Sequence, residues 1–328
     1  MQKLLFINLF LFTLFSVTAQ NLITAKEQKK LGIAYLSQGK TDSALIFLHN
    51  AESLGLLDGE LMGSLALAHF QKGEVVKSLK WAKMSITDKV NPSPDGWLAG
   101  ALAYEKQGRM KKRDSWLKKG IQKFPTDYLL RYYSAKAAFS TDPQKAESDL
   151  LTAIFLEPVY APSHLLLGQE MYRKGENTKT LLPFLYYLML YHDAPESPDI
   201  VALIENLLND WASTPPNTTK AKNQKEDALI SSFKPTLRDP SSEKDEWLVQ
   251  QLSQLMKSME EEDFINQNPS WAYYVDFFSN ASKQDHSEAL IYHLIFSRYK
   301  PETLEWITKN QDKYEIMTLW VSIWEFGR

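Results

Sequence analysis

Cysteine is absent from the 328 residues, and that absence removes several functions at once. No disulfide framework, cysteine zinc site, thiol nucleophile or lipid-anchoring cysteine is available. Glycine and proline are scarce, at 13 and 15 residues, too few turn formers for a chain of many short strands. Positive charge is not in excess either. The 37 Lys and Arg face 40 Asp and Glu, a formal net charge of −3, so no global charge draws the chain to nucleic acid. Long apolar runs are missing beyond the N-terminus. The longest, Leu181 to Tyr191, is interrupted by Pro183 and tyrosines and is too short to span a bilayer. What is present, 44% hydrophobic and 23% charged residues, is too apolar and too evenly charged for disorder.

The first residues read as an address rather than as fold. Lys3 supplies a positive start, Leu4 to Phe15 an apolar stretch of 12 residues broken by Asn8 and Thr13, and Val17-Thr18-Ala19 a small-residue cleavage pattern. The expectation is a signal peptide over 1–19, cleaved after Ala19, and an exported protein, periplasmic or extracellular. An uncleaved anchor is the alternative. No transmembrane segment is expected after cleavage.

Internal periodicity organises the next half of the chain. Leu31-Gly32, Tyr35, Gly39, Ala44, Leu48 and Ala51 recur 34 residues on as Leu65, Ala66, His69, Gly73, Ser78 and Ala82. Trp97, Gly100, Ala101, Tyr104, Gly108, Leu117, Gly120 and Pro125 follow in the same slots, then Leu130, Tyr133, Ala137, Ala146, Leu150, Ala153 and Pro158, then Leu167, Gly168, Met171, Gly175 and Phe184. Small residues let two antiparallel helices approach, large ones fill the space to the next pair, glycine ends the first helix and proline stops the second. No pair buries its apolar face alone, so neighbours must stack.

This pattern resembles the tetratricopeptide repeat superfamily, as exported bacterial members would show it. Five repeats start near Ala25, Gly59, Pro94, Asp127 and Ala161 and cover 25–195. Repeat 2 departs at His69 and Ser78, repeat 4 has Thr141 where the turn glycine belongs, and repeat 5 has Thr180 at a small-residue slot. The resemblance implies an all-α solenoid and a protein or peptide partner held on the concave face by first-helix residues. Carried onto this chain, those are Lys29, Ile33 and Leu36; Leu67, Phe70 and Gln71; Leu98, Leu102 and Glu105; Arg131 and Phe139; and Gln169, Tyr172 and Arg173. The groove would be apolar toward the N-terminus and polar and basic toward the other end. The family's clamp for C-terminal carboxylates needs Lys and Asn pairs; Ile33 stands where an Asn is required, which excludes that mode. The alternative is that these residues are core, or are covered by the chain's own C-terminal helices.

Beyond 195 the register fails. An amphipathic helix is expected over 198–211, and residues 213–223 are loop-like, so 196–222 reads as a capping helix and linker. Asn217-Thr218-Thr219 is a formal glycosylation sequon. A helical, aromatic-rich C-terminal domain is expected over 223–328, with helices near 224–234, 243–263, 270–282, 286–299, 302–310 and 312–325. Trp271, Tyr274, Phe278 and Ala289 echo a repeat with displaced spacing, which reads as a helical hairpin. Ile316, Met317, Leu319, Trp320, Val321, Ile323, Trp324 and Phe326 make the last helix apolar on nearly all sides. That suits burial, or else docking on another protein or a membrane interface.

Chemistry-bearing patterns are sparse. Six histidines, His49, His69, His164, His192, His286 and His293, include no helical i, i+4 pair for a shared metal. No nucleophile elbow, phosphate-binding glycine loop or calcium loop occurs. Glu260-Glu261-Glu262-Asp263 is consecutive and splays around a helix end. No catalytic, cofactor or metal residue is therefore assigned. Arg109, Lys111, Lys112, Arg113, Lys118, Lys119 and Lys123 against the single acid Asp114 make a basic face, either solvated or meeting an anionic partner. The sequence thus favours a non-enzymatic scaffold or adaptor in the cell envelope. A glycan- or lipid-binding module on Trp247, Trp271, Trp306, Trp320, Trp324, Tyr273, Tyr274, Phe277 and Phe278 is the second reading.

Overall fold

The computed structural model describes residues 2–89, 91–214, 233–260 and 270–326, with side chains from 20 to 324. The sequon, residues 224–232 of the helix expected over 224–234, and Glu261, Glu262 and Asp263 lie outside the described residues, and residues 233 and 234 are not helical. So do the side chains of the expected leader 1–19. Sixteen helices and no strand occur among the described residues, so the fold is all-α as the sequence implies. No helix among them is long and apolar enough to cross a membrane.

The chain forms two compact units, 1–137 and 138–328. The first contains α1 (Gln2–Ser37), α2 (Thr41–Ser53), α3 (Gly59–Gln71), α4 (Val75–Ser85), α5 (Pro94–Lys106) and α6 (Met110–Lys123), and α7 (Tyr128–Ala138) begins within it. Helices pair as α1 with α2, α3 with α4 and α5 with α6, and α5 packs on both α3 and α4. The α1–α2 and α5–α6 pairings each rest on a glycine facing a bulky residue, and Ala66 takes that slot in α3. A Cβ on Gly32 would lie 2.6 Å from Leu48, and one on Gly100 would lie 2.1 Å from the Trp116 ring. In the second unit, a Cβ on Gly168 would lie 2.5 Å from Phe184. The three glycines stand 68 residues apart, and each partner lies 16 residues on. The repeat is therefore a repeat of helix-to-helix distance, written in side-chain size.

The second unit contains α8 (Pro143–Leu156), α9 (Ala161–Lys174), α10 (Asn177–Leu190), α11 (Ser197–Ser213), α12 (Lys244–Ser258), α13 (Ala272–Lys283), α14 (Ser287–Ile295), α15 (Lys300–Lys309) and α16 (Gln311–Phe326). α10 is buried almost all round, including Pro183 within it. A helix apolar on every side needs neighbours on every side, and α9, α11, α13 and α14 supply them. The C-terminal helices α13 and α14 complete the packing of the fifth hairpin within the second compact unit. Trp247, Trp271, Tyr274, Phe277 and Phe278 are buried. Those rings are core and form no platform.

α16 also departs from expectation. Met317 is its buried residue, Trp320 packs with its ring centroid 5.2 Å from that of Phe277, and Ile316, Leu319 and Ile323 are 57–63% exposed. The helix docks by one side only.

The turns repeat as faithfully as the packing. Gly39, Gly73, Gly108 and Gly175 all have φ between 71° and 80°. After each, the next amide donates back across the helix end: Lys40 to Tyr35, Glu74 to His69, Arg109 to Tyr104 and Glu176 to Met171, at 2.8–3.0 Å. This double-bonded helix end requires a left-handed residue. The α13–α14 hairpin closes by the same device with Asp285 at φ 60°, the His286 amide donating to Ala281 at 2.7 Å. The repeat-like turn is hidden in sequence because aspartate replaces glycine. Asp285→Val should cost about 1–2 kcal/mol, since a β-branched residue resists the left-handed region, whereas Asp285→Gly should cost nothing. Urea unfolding measures both, and equal losses would show that the Asp285 carboxylate, not its backbone, holds the turn.

Candidate functional site

The first helices of unit 1 bring their sequence-predicted residues together, but in different roles. Leu36, Leu98 and Leu102 are buried within the hairpin cores. They are core residues. Ile33, Leu67 and Phe70 are half-buried and pack on those cores with part of each side chain in solvent. Gln71 is exposed and accepts a hydrogen bond from Thr41 at 2.7 Å. Glu105 receives Arg113 at 2.9 Å, and Arg131 is half-buried.

Lys29 is committed to the fold. Its ammonium donates to Asp58 at 2.8 Å and Glu60 at 2.6 Å, and its side chain is 12% exposed. Burial opposes its charge, but the Asp58 and Glu60 carboxylates outweigh burial and hold the ammonium above its ordinary pKa. Asn91 also donates to Glu60, at 3.2 Å. Asp58 in turn caps α3, accepting the Leu61 amide at 2.8 Å.

Acid recurs at the start of the next two first helices. Asp95 opens α5, and burial, reinforced by Asp127 and Glu60, pushes its carboxyl up to about 6. Asp127 precedes α7 and accepts the Leu130 amide at 2.7 Å; burial raises it too, against that bond. The face therefore has an acidic rim at the helix starts and an apolar middle of Ile33, Leu67 and Phe70. The rim was missed in sequence. Its signal is an acid in the first turn of successive first helices, at Glu60 and Asp95, with caps at Asp58 and Asp127.

In unit 2, Phe139 is buried. Gln169, Tyr172 and Arg173 lie exposed on α9, Arg173 pairing with Glu170 at 2.8 Å. Among the basic residues of α6 and its N-cap, Arg113 is drawn inward by Asp114 and Glu105, while Arg109, Lys111, Lys112, Lys118, Lys119 and Lys123 are exposed.

Two cavities lie within single units. One, of about 560 Å³, is lined by Asp42, Ile46, His49, His69, Lys72, Glu74 and Lys77 among others. His69 Nδ1 bonds Glu74 at 2.6 Å, His49 Nδ1 bonds Glu52 at 2.8 Å, and the rings stand 5.6 Å apart. Burial lowers the His69 pKa despite Glu74. The other cavity, of about 330 Å³, carries the hydroxyls of Ser148, Thr152, Ser270 and Tyr273 beside Asp276, with no imidazole or amine in its lining. No group of three or more His, Asp and Glu among the described residues could hold a metal ion.

Helical hairpins set by a small-to-large pair, closed by a left-handed glycine and stacked on the next first helix decide the architecture. The fold is of the tetratricopeptide type. No family profile matches the chain, and no curated protein does. Solved structures do. A tetratricopeptide protein of Thermus thermophilus, TTC0263, is 19% identical over 56% of this chain and 98% of its own, with a TM-score of 0.46. PilF of Pseudomonas aeruginosa is 12% identical over 63% and 99%, TM-score 0.45. MamA of AMB-1 is 18% identical over 56% and 98%, TM-score 0.35. Likeness at this level carries no functional inference, and the tetratricopeptide character stands on the chain's own repeated residues.

Proposed function

We propose that the protein is an exported, non-enzymatic scaffold that holds a polypeptide against the first-helix face of unit 1. The observation that carries this reading is the partly solvent-exposed apolar row Ile33, Leu67 and Phe70, flanked by the carboxylates Asp58, Glu60 and Asp95. The row fits the apolar side chains of a partner helix or extended segment. The rim fits a positive side chain on the same segment. Export rests on the leader pattern over 1–19.

The test is affinity capture from the host's envelope fraction with the natural chain and the double variant Leu67→Glu, Phe70→Glu. Two buried charges introduced at a docking face cost several kcal/mol, so retention of the specific partner should fall more than a hundredfold. An unchanged unfolding midpoint shows that the variant folds. If the folded variant keeps the same partners, this face is not where they bind.

A further inference from the structure

The two units carry opposite charge. Residues 1–137 hold twenty Lys and Arg against eleven Asp and Glu, and residues 138–328 hold seventeen against twenty-nine. Within the positive unit the charge is concentrated on α6. At 3.6 residues per turn, Lys111, Lys112, Lys118, Lys119 and Lys123 fall within an arc of about 140°, and they extend about 18 Å along the axis. Leu117 and Gly120 occupy the opposite, buried side, and all five lysines are exposed, with the Lys112 ammonium 5.4 Å from the Tyr104 ring centre and that of Lys123 5.9 Å from that of Phe124. No acid lies in the arc. The one acid of the helix, Asp114, is outside it and is engaged by Arg113 at 2.8 Å.

The chemistry of this face selects its partner. A solvated stripe of like charge repels itself and needs counter-charge along its whole length. The cations are ammonium groups, which act as point charges, and not guanidinium forks suited to one bidentate phosphate. The guanidinium of Arg113 is turned inward, and that of Arg109 lies over the Tyr104 ring at 5.4 Å. Neither of the two cavities described above borders α6. The arc holds no aromatic ring on which a base could stack, as single-stranded nucleic acid requires. An extended row of exposed lysines on one helix face matches a plane of many anionic groups.

We infer that the α6 lysine face docks on an anionic phospholipid surface, with α6 lying along it and the negative unit 2 repelled from it. The contact is electrostatic and sequence-tolerant, and it is independent of the polypeptide-binding face on the first helices.

The experiment is co-sedimentation of the full chain with phosphatidylcholine vesicles, with and without phosphatidylglycerol, at low and raised salt. The natural chain should bind the phosphatidylglycerol vesicles only, and salt should release it. Each surface lysine is worth about fivefold in binding, so Lys111→Gln, Lys118→Gln, Lys119→Gln together should weaken it about a hundredfold. A matched triple on exposed unit 2 lysines, Lys283→Gln, Lys300→Gln, Lys309→Gln, should leave binding intact. Both triples alter exposed side chains, and circular dichroism checks their folding. Absence of vesicle binding, equal binding to neutral vesicles, or an α6 triple that binds like the natural chain would each overturn the inference. So would capture by soluble polyglutamate with none by vesicles, which would make the partner an acidic polymer.

Discussion

Replacing Gly100 by leucine should destabilise unit 1 by about 3 kcal/mol, because the new side chain has no space. Even a single Cβ there would sit 2.1 Å from the Trp116 ring. Trp116 cannot step aside freely. Its ring meets Trp97 edge-on at 5.3 Å and Tyr104 at 5.4 Å, and it packs on both hydrophobic clusters of the unit. A loss of that size lowers the thermal midpoint of a unit this large by about 10 °C. The double variant Gly100→Leu, Trp116→Ala should recover part of the loss, since leucine then enters the volume the indole leaves. Trp116→Ala alone should cost about 3 kcal/mol as a cavity. Non-additivity of the pair, read in urea titrations followed by far-ultraviolet dichroism, isolates the contact. A Gly100→Leu variant as stable as the natural chain would mean that the helices of a hairpin are not held at the distance this glycine sets.

Acid should loosen unit 2 before its carboxylates protonate. His164 is fully buried, with Nδ1 on the Tyr274 hydroxyl at 2.8 Å, Nε2 on the Pro158 carbonyl at 2.7 Å and its ring stacked on Tyr186. Burial lowers its pKa to about 4 against the pull of the Pro158 carbonyl. His293 bonds Tyr314 at 2.8 Å and the Met189 carbonyl at 3.1 Å, with the His192 ring 4.1 Å away. Burial, and then His192, lower it to about 4 as well, outweighing the Met189 carbonyl and Asp193. In the unfolded chain both titrate near 6.5. Between about 6.5 and 4 the unfolded state therefore binds two protons that the folded state refuses, so stability falls as pH falls. By pH 5 the loss should reach about 2 kcal/mol for each imidazole, and below pH 4 it should level off as the folded state protonates too. Urea midpoints at pH 7 and pH 5 measure this. His164→Gln, His293→Gln should start less stable yet lose much less between those two values. An equal loss in the natural and variant chains would assign the acid sensitivity to other groups.

The repeats were legible because they are written in residue size and in backbone handedness. Gly32, Gly100 and Gly168 and the four turn glycines are read from the chain directly, since glycine meets their steric demands most readily. The C-terminal packing was not legible, because it depends on partners distant in sequence. Asp285 takes the turn glycine's place and hides the last hairpin, and α10 reveals only that it is buried, not by which helices. The proposed binding face was half-legible. Slot position placed Leu36, Leu98 and Leu102 beside Ile33, Leu67 and Phe70, but a helix in a hairpin array turns one apolar side to its own partner, and one helix turn decides between core and surface. Lys29 failed as a free cation because Asp58 and Glu60, 29 and 31 residues away, engage it in three dimensions. The lysines of α6 could be listed from sequence, but their shared arc free of acid could be established only with the buried side of the helix in place.

Photo-cross-linking from the first-helix face tests the proposed function most directly. A photoreactive phenylalanine at Phe70, in cells of the native host, should yield a discrete polypeptide adduct. The same residue at Val76, 80% exposed on α4, should not. Glu introduced at Leu67 should abolish the Phe70 adduct while the chain stays folded. Adducts at Val76 and none at Phe70 would contradict the proposal, because the partner would then lie on the second helices.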